Sequence, residues 1–124
     1  MWKEDMFSSI ERQLPDMICL ADYLYDLGEL GHEEYQGCDL CSKYLEKNGF
    51  AVERGVGGVD TALRAEYQSL EGGPVLGLLF EYDALPGIGH ACGHHMQPGA
   101  NMSAAVAIKE VLGDRVPFKF VFNT

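Results

Sequence analysis

A short loop between residues 80 and 95 carries most of the side chains that could do chemistry. Carboxylate, thiolate and imidazole groups are the ligands that divalent transition metals use in proteins. The loop holds two carboxylates, one thiol and three imidazoles among glycines and a proline: Glu81, Asp83, His90, Cys92, His94 and His95. This composition predicts a metal site.

The spacing of Cys92 and His94 makes them the first candidate ligands. A single glycine separates them, and in extended backbone side chains two residues apart point the same way. A thiolate and an imidazole so placed could reach one ion or two adjacent ions. Taken alone, the pattern is equally consistent with a buried thiol beside a hydrogen-bonded histidine. The nearby acids favour ligation, because a metal-bound imidazole needs a carboxylate or carbonyl behind it.

Each of the other candidate polar residues allows two interpretations. Asp83 is expected to support a ligand from behind, the alternative being a turn in which it bonds its own backbone. Glu81, His90 and His95 are expected to contact substrate or to support the ligands, and a packed or solvent-facing histidine is an equally good interpretation of the last two. His32, outside the loop, is expected either to cap the start of the second helix or simply to lie beside it.

The elements on either side of the loop must position it. Residues 75–80 are almost wholly apolar, which predicts a central strand covered on both faces. Apolar residues spaced three and four apart after residue 101 predict a helix that ends at Gly113. The loop would then lie at the carboxyl end of a buried strand, where open α/β sheets bind their ligands.

Similar patterns predict the rest of the fold. Residues 2–27 are expected to form a helix bent near Pro15, and residues 33–47 a second helix whose first turn carries acidic side chains. Short alternating segments predict three further strands, over residues 50–53, 61–67 and 118–122. The whole chain, residues 1–124, is therefore expected to be part of one α/β domain.

Composition restricts the function. With 124 residues, 47% of them hydrophobic, the chain is expected to form one globular domain. Nineteen acidic against nine basic residues give a net charge of −10, which disfavours an extended contact with a nucleic-acid backbone. No apolar run reaches the length of a membrane span, and the first residues lack the layout of a secretory signal. We therefore expect a cytoplasmic protein without a membrane partner.

The four cysteines are expected to be free thiols, because no secretory signal accompanies them. Cys38 and Cys41 form a C-x-x-C pair within a helical pattern, which favours ordinary helical residues over a zinc ligand pair. A thiol redox module is a further alternative, disfavoured because the pair does not stand at a helix start. The glycines of residues 55–58 are expected to form a flexible turn, not a phosphate cradle.

The loop residues resemble a known family. Residues 81–86, E-Y-D-A-L-P, followed by residues 87–94, G-I-G-H-A-C-G-H, resemble the metal-binding segment of the M20 metallopeptidase and amidohydrolase family. The likeness is to its aminobenzoyl-glutamate hydrolase and aminoacylase-like branch in particular. Residues 28–34, G-E-L-G-H-E-E, and the glycine-rich residues 48–50 and 55–58 follow in the same order as in that family.

The resemblance implies a three-layer α/β/α, zinc-exopeptidase-like catalytic domain, of which residues 1–124 would be the N-terminal part without a dimerisation domain. It implies hydrolysis of an amide bond in N-acyl amino acids or small peptides, using one or two divalent ions, zinc or manganese. Cys92 and His94 would be metal ligands, and Asp83 would support the site. Sulfur ligation favours zinc.

The resemblance also implies that parts of the site lie outside this chain. In the family, a Pro-Ala-Glu-Glu segment with the general base follows the strand that corresponds to residues 118–122, and further ligands come later. We therefore expect little or no activity from the chain alone. His95 stands where relatives carry Asp or Asn. The alternative is a non-catalytic truncated homologue that binds a partner, or forms a homo-oligomer, through exposed edges.

Overall fold

The computed structural model describes residues 1–124 as three helices and one four-stranded sheet. All seven predicted elements are present, which confirms the α/β class. The helices are α1 (Trp2–Leu27), α2 (Tyr35–Lys47) and α3 (Gln97–Leu112), and the strands are β1 (Ala51–Arg54), β2 (Leu63–Gln68), β3 (Val75–Leu79) and β4 (Lys119–Asn123). None of the three helices combines the length and the apolar character that a membrane span requires.

The sheet has the order β1-β2-β4-β3, and β2 runs antiparallel to both of its neighbours. β3 and β4 are parallel, and the chain that joins them contains α3. The prediction that residues 75–80 form a central strand is wrong: β2 and β4 hold the two central positions, and β3 is an edge strand. Its apolar sequence fits a strand covered on both faces, yet Val75 is 64% and Leu79 76% exposed, because no part of residues 1–124 covers them.

The helices pack on one face of the sheet. Alternate residues of β2 and β4 point to that face, where Leu63, Phe120 and Phe122 are buried in one cluster with Leu45 of α2 and Met102 of α3. Aromatic rings fill much of this core, and the burial of such large apolar side chains is the main favourable term in folding.

The opposite face of the sheet is polar and half-exposed around β2. Arg64 lies 2.9 Å from Glu66, and Lys119 of β4 lies 3.3 Å from the other carboxylate oxygen of Glu66. These contacts hold the pKa of the Glu66 carboxyl below its usual value, chiefly through hydrogen bonds from Arg64 and Lys119. Residues 1–124 thus form the sheet and one helical layer, and charged side chains, not a second helical layer, cover this part of the sheet.

The start of α2 is held by a residue that the sequence did not single out. The Glu29 carboxylate accepts hydrogen bonds from the backbone N–H groups of Gln36, at 2.9 Å, and Gly37, at 2.7 Å. These are two of the four N–H groups that a helix leaves without internal partners. His32 does not cap α2, and the prediction of acidic residues inside the first turn is wrong, because α2 begins only at Tyr35 and Glu34 precedes its first turn.

The loop after β3 is tied to the rest of the molecule at several points. The Tyr82 hydroxyl donates to the carbonyl of Thr61 at 2.5 Å, and the N–H of Ala84 donates to the carbonyl of Glu29 at 2.6 Å. Phe80 and Tyr82 are buried in the core. The loop begins at the carboxyl end of β3, as predicted, and these contacts hold its path.

Candidate metal centre

Three side chains of the loop converge on one point. His94 Nδ1 lies 2.9 Å from Asp83 Oδ1, and His94 Nε2 lies 3.0 Å from Glu81 Oε2. One potential ligand atom from each of the three residues lies within 4.8 Å of the other two. The three form the only group of at least three histidine, cysteine or acidic side chains placed for a metal ion. We call these residues the carboxylate–histidine group.

Alternation of the backbone places the two carboxylates together. Glu81 and Asp83 flank Tyr82, whose ring is buried on the core side. In a near-extended segment, residues two apart share one side, so burial of Tyr82 turns both acids outward to the site. The Glu81 N–H also donates to the side-chain oxygen of Gln97 at 3.0 Å, which links the segment to the first turn of α3.

His94 reaches the carboxylates through a tight turn. Gly93 adopts a left-handed conformation with φ 85°, and a 3₁₀ turn over His94–Met96 follows it. This conformation contradicts the extended backbone that was expected for residues 92–94, because a left-handed glycine reverses the chain direction. The Cys92 side chain is exposed and is not part of the carboxylate–histidine group.

The other two histidines of the loop pack together under α1. The rings of His90 and His95 have centroids 5.1 Å apart, and Tyr25 of α1 packs against both rings. His90 is only 4% exposed. Burial, followed by the neighbouring His95, lowers the pKa of His90 below its usual value. In the structure, both histidines are therefore packed side chains.

A cleft of about 310 Å³ opens beside the carboxylate–histidine group. Glu81 and Asp83 line it, together with residues that sequence reasoning did not connect to the site: His32, Glu34, Thr61 and Thr124. These come from the α1–α2 connection, from the approach to β2 and from the residue after β4. No short motif joins them, because only the fold brings the three segments together.

Two residues on the wall of this cleft have unusual local structure. The buried Glu34 carboxylate accepts a hydrogen bond from the Thr61 hydroxyl at 2.8 Å. His32 is the one residue other than glycine with a positive φ, at 67°. Such strained conformations cluster at functional sites.

The donor set fits a divalent ion. Two carboxylates and one imidazole suit zinc or manganese, and carboxylate oxygens suit manganese in particular. With His94 Nε2 turned to an ion, His94 Nδ1–H would donate to Asp83, which is the arrangement that fixes the tautomer of metal-bound histidines. The contact at 2.9 Å between His94 and Asp83 has this form already.

The C-x-x-C pair lies inside α2, as predicted. Cys38 and Cys41 are both buried and free. Burial, with the neighbouring Cys38, raises the pKa of the Cys41 thiol well above its usual value. A thiol with a raised pKa is a poor nucleophile at neutral pH, so the redox interpretation gains no support.

Comparison with characterised proteins finds hydrolases. No family model matches the chain. It is 34% identical over 110 residues to one of the subunits of the p-aminobenzoyl-glutamate hydrolase of Escherichia coli (strain K12), an alignment that covers 75% of the chain and 22% of the relative. It is 34% identical over 104 residues to human Xaa-Arg dipeptidase, covering 75% of the chain and 24% of the relative.

Two further relatives agree with these. The N-acetyl-L-cysteine deacetylase of Bacillus subtilis (strain 168) is 29% identical over 117 residues, covering 83% of the chain and 27% of the relative. A crystal structure of a proposed aminohydrolase from methicillin-resistant Staphylococcus aureus superposes with a TM-score of 0.83. At 22% identity, over 97% of this chain and 34% of the other, that likeness concerns the fold. The chain thus spans about a quarter of the length of the sequence relatives.

Proposed function

We propose that this chain, which is related to the M20-type amidohydrolases over about 75% of its length, is the N-terminal part of a metal-dependent amidohydrolase. Its substrates would be N-acyl amino acids or small peptides. The observation that carries the proposal is the carboxylate–histidine group, formed by Glu81, Asp83 and His94 at the edge of a cleft. The names of the relatives, a hydrolase, a dipeptidase and a deacetylase, support amide-bond hydrolysis.

Each residue of the group has a proposed role. His94 and Glu81 are proposed to hold the ion, and Asp83 to orient the His94 ring through Nδ1. A divalent ion held there would polarise an amide carbonyl and lower the pKa of a bound water molecule. The cleft, at about 310 Å³, has the volume of a small-molecule site and would hold the substrate beside the ion.

Cys92 remains a proposed ligand on the strength of the family resemblance. Its side chain is exposed and not packed in the core, so it could turn toward an ion without losing buried contacts. Ligation by Cys92 would require the backbone around Gly93 to adjust, because its φ of 85° now separates the thiol from the carboxylate–histidine group. A thiolate ligand would also favour zinc over manganese.

We propose that the chain alone turns over little or no substrate. The group offers three donors, and Asp83 is already engaged with His94. A catalytic centre needs, in addition, a carboxylate that takes the proton from the attacking water. In this proposal that base and the remaining ligands come from the longer parent protein.

Metal binding by the purified chain tests the proposal. After EDTA treatment, Mn²⁺ and Zn²⁺ are titrated by calorimetry into the wild type and into His94→Ala, Glu81→Gln and Cys92→Ser, with hydrolysis of N-acetyl amino acids followed in parallel. We expect one Mn²⁺ ion per chain, lost in His94→Ala. Loss of Zn²⁺ affinity in Cys92→Ser would support thiolate ligation.

Two results would contradict the proposal. Binding that is unchanged in both His94→Ala and Glu81→Gln would place the ion elsewhere. Efficient hydrolysis by the chain alone would show that residues 1–124 hold a complete catalytic centre. The surface variant Asp60→Asn, which changes one exposed carboxylate outside the group, is the matched control.

A second candidate function, self-association, rests on β3. This edge strand carries no charged residue, and Val75 and Leu79 are largely exposed. Uncharged apolar edges pair readily with other strands. Sedimentation of the wild type and of Leu79→Lys tests it: a wild-type dimer that Leu79→Lys dissociates supports it, and a wild-type monomer at all concentrations excludes it.

A further inference from the structure

The pair of histidines under α1 forms a polar cluster that shares no residue with the carboxylate–histidine group. His90 and His95 have ring centroids 5.1 Å apart, at an interplanar angle of 52°. Tyr25 packs edge-on to His95 at 5.1 Å and stacks on His90 at 6.4 Å. The cluster is thus enclosed on one side by an aromatic ring.

The nitrogen atoms of this cluster lack hydrogen bonds of standard geometry. Both ring nitrogens of His90 and Nδ1 of His95 are buried without a hydrogen bond of standard geometry, and no other buried side-chain nitrogen or oxygen in the chain is in this state. The backbone of Leu24 lies near enough to His90 to raise its pKa, against the larger effect of burial, so one His90 nitrogen has a weak partner there. Buried polar atoms are almost always paired, and an orphaned group indicates an unseen water molecule or ion. The two nitrogens of one ring point apart, so a single ion or water molecule can pair with only one nitrogen of His90, together with Nδ1 of His95.

The local backbone explains how two polar clusters form on one turn. His94 and His95 are consecutive residues of the 3₁₀ turn His94–Met96. A 3₁₀ helix has three residues per turn, so consecutive side chains point about 120° apart. His94 therefore faces Glu81 and Asp83, while His95 faces Tyr25 and His90.

We infer that His90 and His95 form a second metal site, made of imidazoles alone, for a borderline transition-metal ion of the Ni²⁺, Cu²⁺ or Zn²⁺ class. Neutral imidazoles are preferred ligands of these ions, whereas Mg²⁺, Ca²⁺ and Mn²⁺ prefer oxygen ligands. Water completes the coordination, and the net charge of −10 favours accumulation of cations at the protein. The inference does not depend on hydrolase activity.

Titration with Ni²⁺ tests the inference. The chain carries no histidine tag, and Cys19→Ser and Cys92→Ser remove the two exposed thiols, which would otherwise compete for the ion. Calorimetry compares this background with His95→Gln and His90→Gln, which keep side chains of similar size. His32→Gln is the matched control, because His32 is exposed and outside both clusters. Circular dichroism verifies that each variant folds.

We expect His95→Gln to lower the Ni²⁺ affinity about tenfold or more, since even loss of an outer partner of a metal ligand costs about 10–100-fold. His32→Gln should leave the affinity unchanged, and Asp83→Asn should lower it less than His95→Gln does. In histidine side-chain NMR spectra of the starting protein, Ni²⁺ should broaden the ring signals of His90 and His95 first. This measurement does not depend on whether the variants fold.

Three results would overturn the inference. Unchanged affinity in His95→Gln would remove His95 from the site. An equal loss in Asp83→Asn, or first broadening of His94, would assign the ion to the carboxylate–histidine group. Absence of Ni²⁺ binding in the starting protein would show that only a buried water molecule pairs the imidazole nitrogens. Failure of the proposed hydrolase function, tested with Mn²⁺ and substrate, would leave these outcomes unaffected.

Discussion

The Asp83 carboxylate contacts Nδ1 of His94 at 2.9 Å and so determines which way the imidazole ring can present Nε2. Nε2 lies 3.0 Å from Glu81. The ring therefore bridges two carboxylates that the chain places two residues apart. An aspartate at a turn would satisfy its own backbone, but here its side chain orients a histidine, which favours the supporting role over the turn interpretation.

The first prediction concerns this contact. Asp83→Asn removes the charge and weakens the orientation of His94, so we expect the affinity for Zn²⁺ or Mn²⁺ to fall about 10–100-fold. Calorimetry on the EDTA-treated protein measures it. Asp60→Asn, at an exposed position, should leave the affinity unchanged. An Asp83→Asn protein with wild-type affinity would show that Asp83 does not act on the site.

The second prediction concerns the anchor between the two acids. Tyr82→Phe removes the hydroxyl that donates to the Thr61 carbonyl at 2.5 Å, in a buried environment. Leaving a buried acceptor unpaired costs about 1–3 kcal/mol, and we expect the free energy of unfolding to fall by that amount. Urea denaturation measures it. Tyr35→Phe, at a tyrosine that is 59% exposed, should change the stability little.

The third prediction compares two glycines with similar backbone conformations. Gly73 has φ 79°, and a Cβ there would lie 2.0 Å from the Pro117 carbonyl oxygen, whereas Gly57 has φ 65° and open space around it. Both alanine variants incur the strain of a left-handed conformation. Gly73→Ala also forces the backbone at residue 73 away from the Pro117 carbonyl. We therefore expect it to lower the free energy of unfolding by about 1–3 kcal/mol more than Gly57→Ala does. Equal losses in urea denaturation would show that the Gly73 turn relaxes freely.

The fourth prediction concerns the thiols. Cys19 and Cys92 are exposed, and Cys38 and Cys41 are buried. At neutral pH we expect two of the four cysteines to react rapidly with a thiol reagent such as DTNB, and the other two only after unfolding in guanidinium. Peptide mapping identifies the labelled residues. Rapid labelling of Cys38 or Cys41 in the folded protein would restore the redox interpretation.

Local patterns predicted most of the fold because each is set by neighbouring residues. Gly28, with φ 53°, ends α1 as expected, since a left-handed terminal residue strongly favours glycine. The same reasoning misplaced β3. An apolar strand is typical of a central position that is covered on both faces. In residues 1–124, however, β3 pairs only with β4 and lies at the edge of the sheet.

For the site, the sequence by itself determined the ingredients: two acids, a thiol and three imidazoles at the carboxyl end of a strand. The alternation that places Glu81 and Asp83 on the side opposite to the buried Tyr82 is seen only in the structure, where these residues follow the end of β3 at Leu79. Only the tertiary structure decided which imidazole meets them. The left-handed Gly93 and the following turn send His94 to the carboxylates and His95 to Tyr25. Both rings carry the same chemistry, so their separate roles follow from backbone conformation and burial, which composition and spacing do not encode.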